Sequence, residues 1–218
     1  MADRQDEGAF GIASVNRSLT VVAPNYGYHT KEEENMAQEK WNFDPVHSDI
    51  GFSVRHLMIS KVRGHFQKWS GALLVDGADL ANSKVEVSIE AASIDTKEQQ
   101  RDDHLRSPDF FDAASHPALT FQSTRVEKAS EEEYEVTGNL TIRGVTKEVA
   151  LAVEYLGRSK DPWGGVRMGF SAKTSIDRRD FGLKFNMPIE GGGVVVGDRV
   201  EIALEIEAVK EVPAVQAA

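Results

Sequence analysis

From Trp41 onward, apolar and polar residues alternate in short rows, the pattern of strands with one face buried. Ile50, Phe52 and Val54 alternate with Gly51, Ser53 and Arg55, and Val85, Val87, Ile89 and Ala91 with Glu86, Ser88 and Glu90. Val149, Leu151, Val153 and Tyr155 form another row, and Val166, Met168, Phe170 and Ala172 another. The most regular is Val200, Ile202, Leu204, Ile206 and Ala208 against Glu201, Ala203, Glu205 and Glu207. Residues 66–75, 119–126 and 134–142 are strand-like but less regular. The pattern predicts about eight strands. Turn residues separate them: Asp76-Gly77-Ala78-Asp79, Arg143-Gly144 and the stretch from Lys160 to Gly165. Amphipathic strands with few helices between them imply an antiparallel sheet rather than βαβ units.

One segment breaks the period. Residues 97–106 carry strong helix formers with Pro108 just beyond, which predicts a short polar helix. Another turn of helix is expected over His56–Lys61. Residues 1–39 keep no sustained period. They contain Pro24-Asn25-Tyr26-Gly27 and Glu32-Glu33-Glu34, and read as a polar extension outside a main domain of residues 40–210, with a short tail over residues 211–218.

Composition narrows the function classes. The 218 residues include 25 Lys+Arg against 35 Asp+Glu, a formal charge of −10. That balance argues against a sequence-independent nucleic-acid binder, which needs a basic face to displace counterions. The absence of cysteine removes disulfides, thiolate metal sites and a cysteine nucleophile. The polar N-terminus, with Asp3, Asp6 and Glu7, lacks the basic start and unbroken apolar stretch of a secretory signal. No run reaches the roughly 18 apolar residues of a membrane-spanning helix. A cytoplasmic protein is the expectation.

Chemical motifs are sparse. The six histidines (His29, His47, His56, His65, His104, His116) include no His-x-His and no His-x-x-x-His, so no metal is expected. Gly-x-Ser-x-Gly is missing. Asp102-Asp103 and the Asp109/Asp112 pair lie on the polar helix and the loop after it, where capping and solvation account for them better than acid/base catalysis. Gly191-Gly192-Gly193 lacks the Lys-Ser/Thr of a phosphate loop and leads into a strand, as a hairpin loop does. What remains is aromatic material scattered over nearly every element. In a sandwich it fills the core; in a barrel of about eight strands it can line a cavity for one small ligand. Periodicity alone leaves both open.

Seven phrases occur in an order that resembles the bacterial YceI-like family of lipid-binding proteins. They are Trp41–His56, Val62–Phe66, Ala92–Thr96, Arg101–Leu105, Asp109–Phe121, Gly138–Lys147 and Asp177–Leu183, within about residues 40–209. The resemblance implies an all-β fold: an extended, eight-stranded antiparallel lipocalin-like barrel with a short helical insertion. It also implies non-enzymatic binding of a long isoprenoid, of the polyprenyl phosphate or quinone type, in an apolar tunnel. The lipid is then a ligand, with no cofactor required, and a homodimer is a further expectation. On this reading Phe52, Phe66, Trp69, Phe110, Phe121, Met168, Phe170, Phe181 and Phe185 are candidates for the tunnel lining. Arg101, His104, Arg178 and Arg179 are candidates for an anionic head group, or else merely pair with Asp102, Asp103, Asp177 and Asp180. The competing reading is a stress-related structural or interaction protein whose barrel is filled by its own side chains. An enzyme acting on a lipid in the same tunnel is the third.

Overall fold

A computed structural model describes residues 38–76, 79–188 and 194–212. The expected N-terminal extension up to residue 37, the triple-glycine loop and the tail from residue 213 lie outside them. Among the described residues, eleven strands and one α-helix follow one another. β1 (Glu39–Phe43) and β2 (Asp49–His56) are two halves of one broken strand, as are β3 (Ser60–Phe66) with β4 (Trp69–Val75), and β5 (Lys84–Glu90) with β6 (Ile94–Asp95). The registers show the continuity. Phe52 pairs with Gly64 and Trp41 with Leu73, while Trp69 pairs with Ile89 and Phe66 with Ile94. The breaks fall side by side, at residues 44–48, 67–68 and 91–93. Hydrogen bonds from Gln67 N–H to Ser93 O (3.0 Å) and Glu90 N–H to Lys68 O (2.9 Å) carry the ladder across.

After these come β7 (Ala118–Lys128), β8 (Glu133–Ile142), β9 (Val145–Lys160), β10 (Val166–Asp177) and β11 (Val196–Lys210). With each broken strand counted as one stave, every stave pairs antiparallel with its neighbour in sequence, and β11 returns to both β1 and β2. The result is a closed meander of eight staves, as the sequence pattern anticipates in number and the family resemblance in kind. Closure removes the sheet edges that an open sandwich would leave.

The two ends of the barrel differ. At one end lie the hairpin tips at residues 57–59 and 143–144 and the helix α1 (Gln99–Arg106). The 3₁₀ turn Arg178–Phe181 joins them there. At the other lie Glu39, Lys210 and the turns at 129–132 and 161–165. We call them the helical and the terminal end. α1 starts at Glu98, whose carboxylate accepts from the backbone N–H groups of Gln100 (3.2 Å) and Arg101 (2.6 Å), and it stops at Ser107 before Pro108. The turn of helix expected over His56–Lys61 is instead a hairpin. Ile59 N–H reaches His56 O (3.2 Å), and strand pairing continues on both sides. The core sits at both ends. Ile94, Phe110, Phe181 and Leu183 close the helical end, and Trp41, Leu73, Met168 and Ala208 the terminal end.

Candidate functional site: an apolar cavity inside the barrel

Inward residues of every stave surround a cavity of ≈ 270 Å³ that extends between the two core clusters. The alternation that builds the strands builds this wall. Ile202, Leu204 and Ile206 face inward on β11, while Glu201, Ala203 and Glu205 are exposed. Of the nine aromatic and methionine candidates, Phe52, Phe66, Phe110, Phe121, Phe170 and Phe181 stand in the wall. Trp69, Met168 and Phe185 do not. Trp69 packs on the outer shell of the helical-end core, Met168 is buried beside Trp41, and Phe185 packs at a tilt against Phe110, the ring centres 5.2 Å apart. Periodicity identifies an inward face but not how deep each side chain lies. Leu105 and Phe111 at the helical end and Leu80 near the terminal end complete the wall. They belong to the helix and loops, where no strand period marks them.

The four head-group candidates gather at the helical end, each engaged by the protein. Arg101 donates from Nε to Thr96 Oγ1 (2.7 Å) and from a terminal nitrogen to Thr96 O (2.9 Å), while Asp102, itself buried, accepts from Thr96 N–H (3.0 Å). His104 bonds Asp109 at 3.0 Å and packs edge-on against Phe110 and Phe185. Arg178 is the one charged residue in the described wall. Its guanidinium donates to the carbonyls of Gly197 (3.0 Å), Phe185 (2.9 Å), Val196 (3.3 Å) and Leu183, and to Asp198 (3.1 Å). Burial lowers its pKa, against the opposing pull of Asp198 and Asp177. Arg179 is more exposed and pairs with Asp177 (2.6 Å) and Asp198 (3.1 Å), which raises its pKa. The pairing partners are thus Thr96, Asp109, Asp177 and Asp198. Asp198 at the start of β11 carries no motif to mark it in the sequence.

One cluster on the described surface has the composition of a metal site. Ligand atoms of Asp44, His47 and Glu207 lie within 4.8 Å of one another. Arg167 already occupies the position of a cation there. It reaches Asp44 (3.0 Å), Glu207 and Asp161 (2.9 Å), which raises its own pKa. The bond to His47 does most to hold the Asp44 carboxyl down at about 2, with Val46 N–H and Arg167 adding to it. This network, three carboxylates around one guanidinium with His47 beside them, ties the break in the first stave to β10 and β11. No helix among the described residues is long and apolar enough to cross a membrane.

A closed antiparallel meander around an apolar cavity defines the class of lipocalin-like barrels. Within that class, the YceI-like domain model matches residues 41–208, and the chain belongs to the YceI-like family. A UPF0312 protein of Staphylococcus epidermidis is 40% identical over 169 residues, covering 77% of this chain and 96% of its own. One from Photorhabdus laumondii is 41% identical over 175 residues, covering 80% and 88%. Among solved structures, Burkholderia cenocepacia BcnA superposes with a TM-score of 0.66 at 26% identity, covering 76% of this chain and 98% of its own. A polyisoprenoid binding domain from Saccharophagus degradans shares the fold, with a TM-score of 0.55 at 15% identity over 77% of this chain and 97% of its own.

Proposed function

We propose that the protein is a non-enzymatic carrier or store for a long-chain isoprenoid lipid held in the barrel. The carrying observation is the cavity itself, apolar from end to end, whose one charged wall residue has its donors committed to backbone carbonyls and Asp198. Such a wall favours an uncharged chain, each buried CH₂ contributing about 0.8 kcal/mol. A stave of ten residues spans about 33 Å, room for several isoprene units end to end. A charged head would have to remain outside, where Arg179 is exposed and His104 half-buried, whereas Arg178 is buried. Arg101 and Arg178 serve to hold the loops that close the helical end. The isoprenoid class, polyprenyl phosphate or quinone, is what the family resemblance adds to the geometry.

Native mass spectrometry of gently purified protein, with extraction of the bound lipid, tests this reading. A retained isoprenoid is the expected result. A lipid-free protein that also fails to bind a quinone or a polyprenyl phosphate overturns it in favour of a self-filled barrel. Phe121→Trp or Phe170→Trp should lower lipid capacity while leaving the fold intact, because both side chains stand in the cavity wall.

A further inference from the structure

The hairpin between β2 and β3 combines two features that stability alone does not favour. Its central residues, Leu57 and Met58, both adopt left-handed backbone angles (φ 50° and 60°), the geometry of a type I′ turn. Asn and Gly fit that turn with little strain, whereas bulky side chains are rarely found in it. The tip is also apolar and in water: Met58 is 58% exposed and Ile59 83%. A third exposed apolar residue adjoins them. Leu57 N–H bonds Val195 O (2.9 Å) and Val195 N–H bonds Met187 O (3.2 Å), which places half-exposed Met187 in the same row.

The surroundings of the tip are basic, although the chain as a whole carries −10. Arg55 and Lys61 face each other on the outer side of β2 and β3, with Arg63 one pair further back. Arg199 and Lys184 are exposed nearby on β11 and on the segment after the 3₁₀ turn. Lys61 bonds Glu201 and Arg199 stands opposite Asp177 in the β10–β11 register, while among the described residues Arg55, Arg63 and Lys184 form no ion pair with a carboxylate. On the inner side of the same strands, Val54 and Val196 line the cavity, and the β2–β11 ladder is irregular between Val196 and Val200.

We propose that this tip, Met58 and Ile59 with Met187 beside it, inserts into the head-group region of an anionic lipid bilayer. Exposed apolar side chains ringed by Arg and Lys match the apolar boundary and negative surface of such a membrane. An area this small gives reversible contact rather than anchoring. The contact stands whatever the cavity holds and does not rest on the carrier reading above.

The test is co-sedimentation of the full chain with vesicles of phosphatidylcholine alone and of phosphatidylcholine with phosphatidylglycerol. Binding is expected only to the anionic vesicles, and it should fall as salt is raised. Ile59→Asp should weaken it about tenfold or more, by losing apolar burial and adding repulsion. Met58→Gly separates docking from folding. Glycine relieves the left-handed strain, so the melting temperature should hold or rise while vesicle binding drops. Trp163→Ser, at an equally exposed tip of the terminal end, should leave binding unchanged. Wild-type protein that ignores anionic vesicles overturns the proposal, as does undiminished binding of Ile59→Asp, or loss of binding in Trp163→Ser alone. Native mass spectrometry of the same samples keeps the two readings apart. Bound lipid without vesicle binding overturns docking only, and vesicle binding by a protein that takes up no lipid overturns only the carrier.

Discussion

Asp102 illustrates how a residue that suggests chemistry serves structure. Its carboxylate is buried and accepts from both the backbone N–H and the hydroxyl of Thr96, joining α1 to the end of the third stave. Asp102→Ala strands the Thr96 donors and should cost about 1–3 kcal/mol of unfolding free energy in urea titration. Asp44 offers a pH-dependent counterpart. Its carboxyl titrates at about 2 in the fold, with His47 the largest cause, against an ordinary 3.8. A lowered folded-state pKa stabilises the protein above the ordinary value, and the contribution is lost as pH falls from about 4 to about 2. Urea midpoints of wild type and Asp44→Asn should therefore differ most at pH 5 and converge as pH approaches 2. A gap independent of pH would mean that the charge of Asp44 is irrelevant to stability.

The strands were legible as elements because period two survives wherever one face is wet and the other buried. β11 shows this from Arg199 to Ile206. The hairpin at Leu57–Ile59 was not legible, since Leu and Met favour helices and none of the usual turn residues is present. Only the pairing of β2 with β3 forces the left-handed turn. The breaks that halve three staves were equally silent; their residues carry no common motif and align only when the strands are side by side. Close packing between staves sets a further limit. A Cβ on Gly138 would stand 2.5 Å from the carbonyl oxygen of Gln122 and equally near the Phe121 ring. Gly138→Ala should thus lower stability by about 1–3 kcal/mol, measured by thermal melting, through forced separation of β7 and β8.

At the scale of the molecule, β2 closes the helical end against β11, and closure of the terminal end depends on β1, a short strand held between β4 and β11. Trp41 anchors it: the side chain is fully buried, with the Arg158 guanidinium 5.0 Å from its ring. Trp41→Ala should cost about 3–5 kcal/mol in a denaturant titration. If the loss is under 1 kcal/mol, closure does not depend on that anchor. The terminal and helical ends are closed by different means, a strand-borne apolar plug and a set of polar-stitched loops. Between them the barrel retains its cavity.

Local alternation and turn chemistry suffice for the number of staves, their antiparallel pairing and the inward face of the regular rows. The family phrases added the kind of barrel. Which inward side chains border empty space and which vanish into the end plugs was decided by tertiary structure, since depth along a closed barrel depends on stagger between strands. The same holds for the cations. Arg101, Arg167 and Arg178 look alike as letters, yet each is committed to partners far away or on other elements, and only their assembly reveals an almost uncharged interior beside a basic, apolar tip.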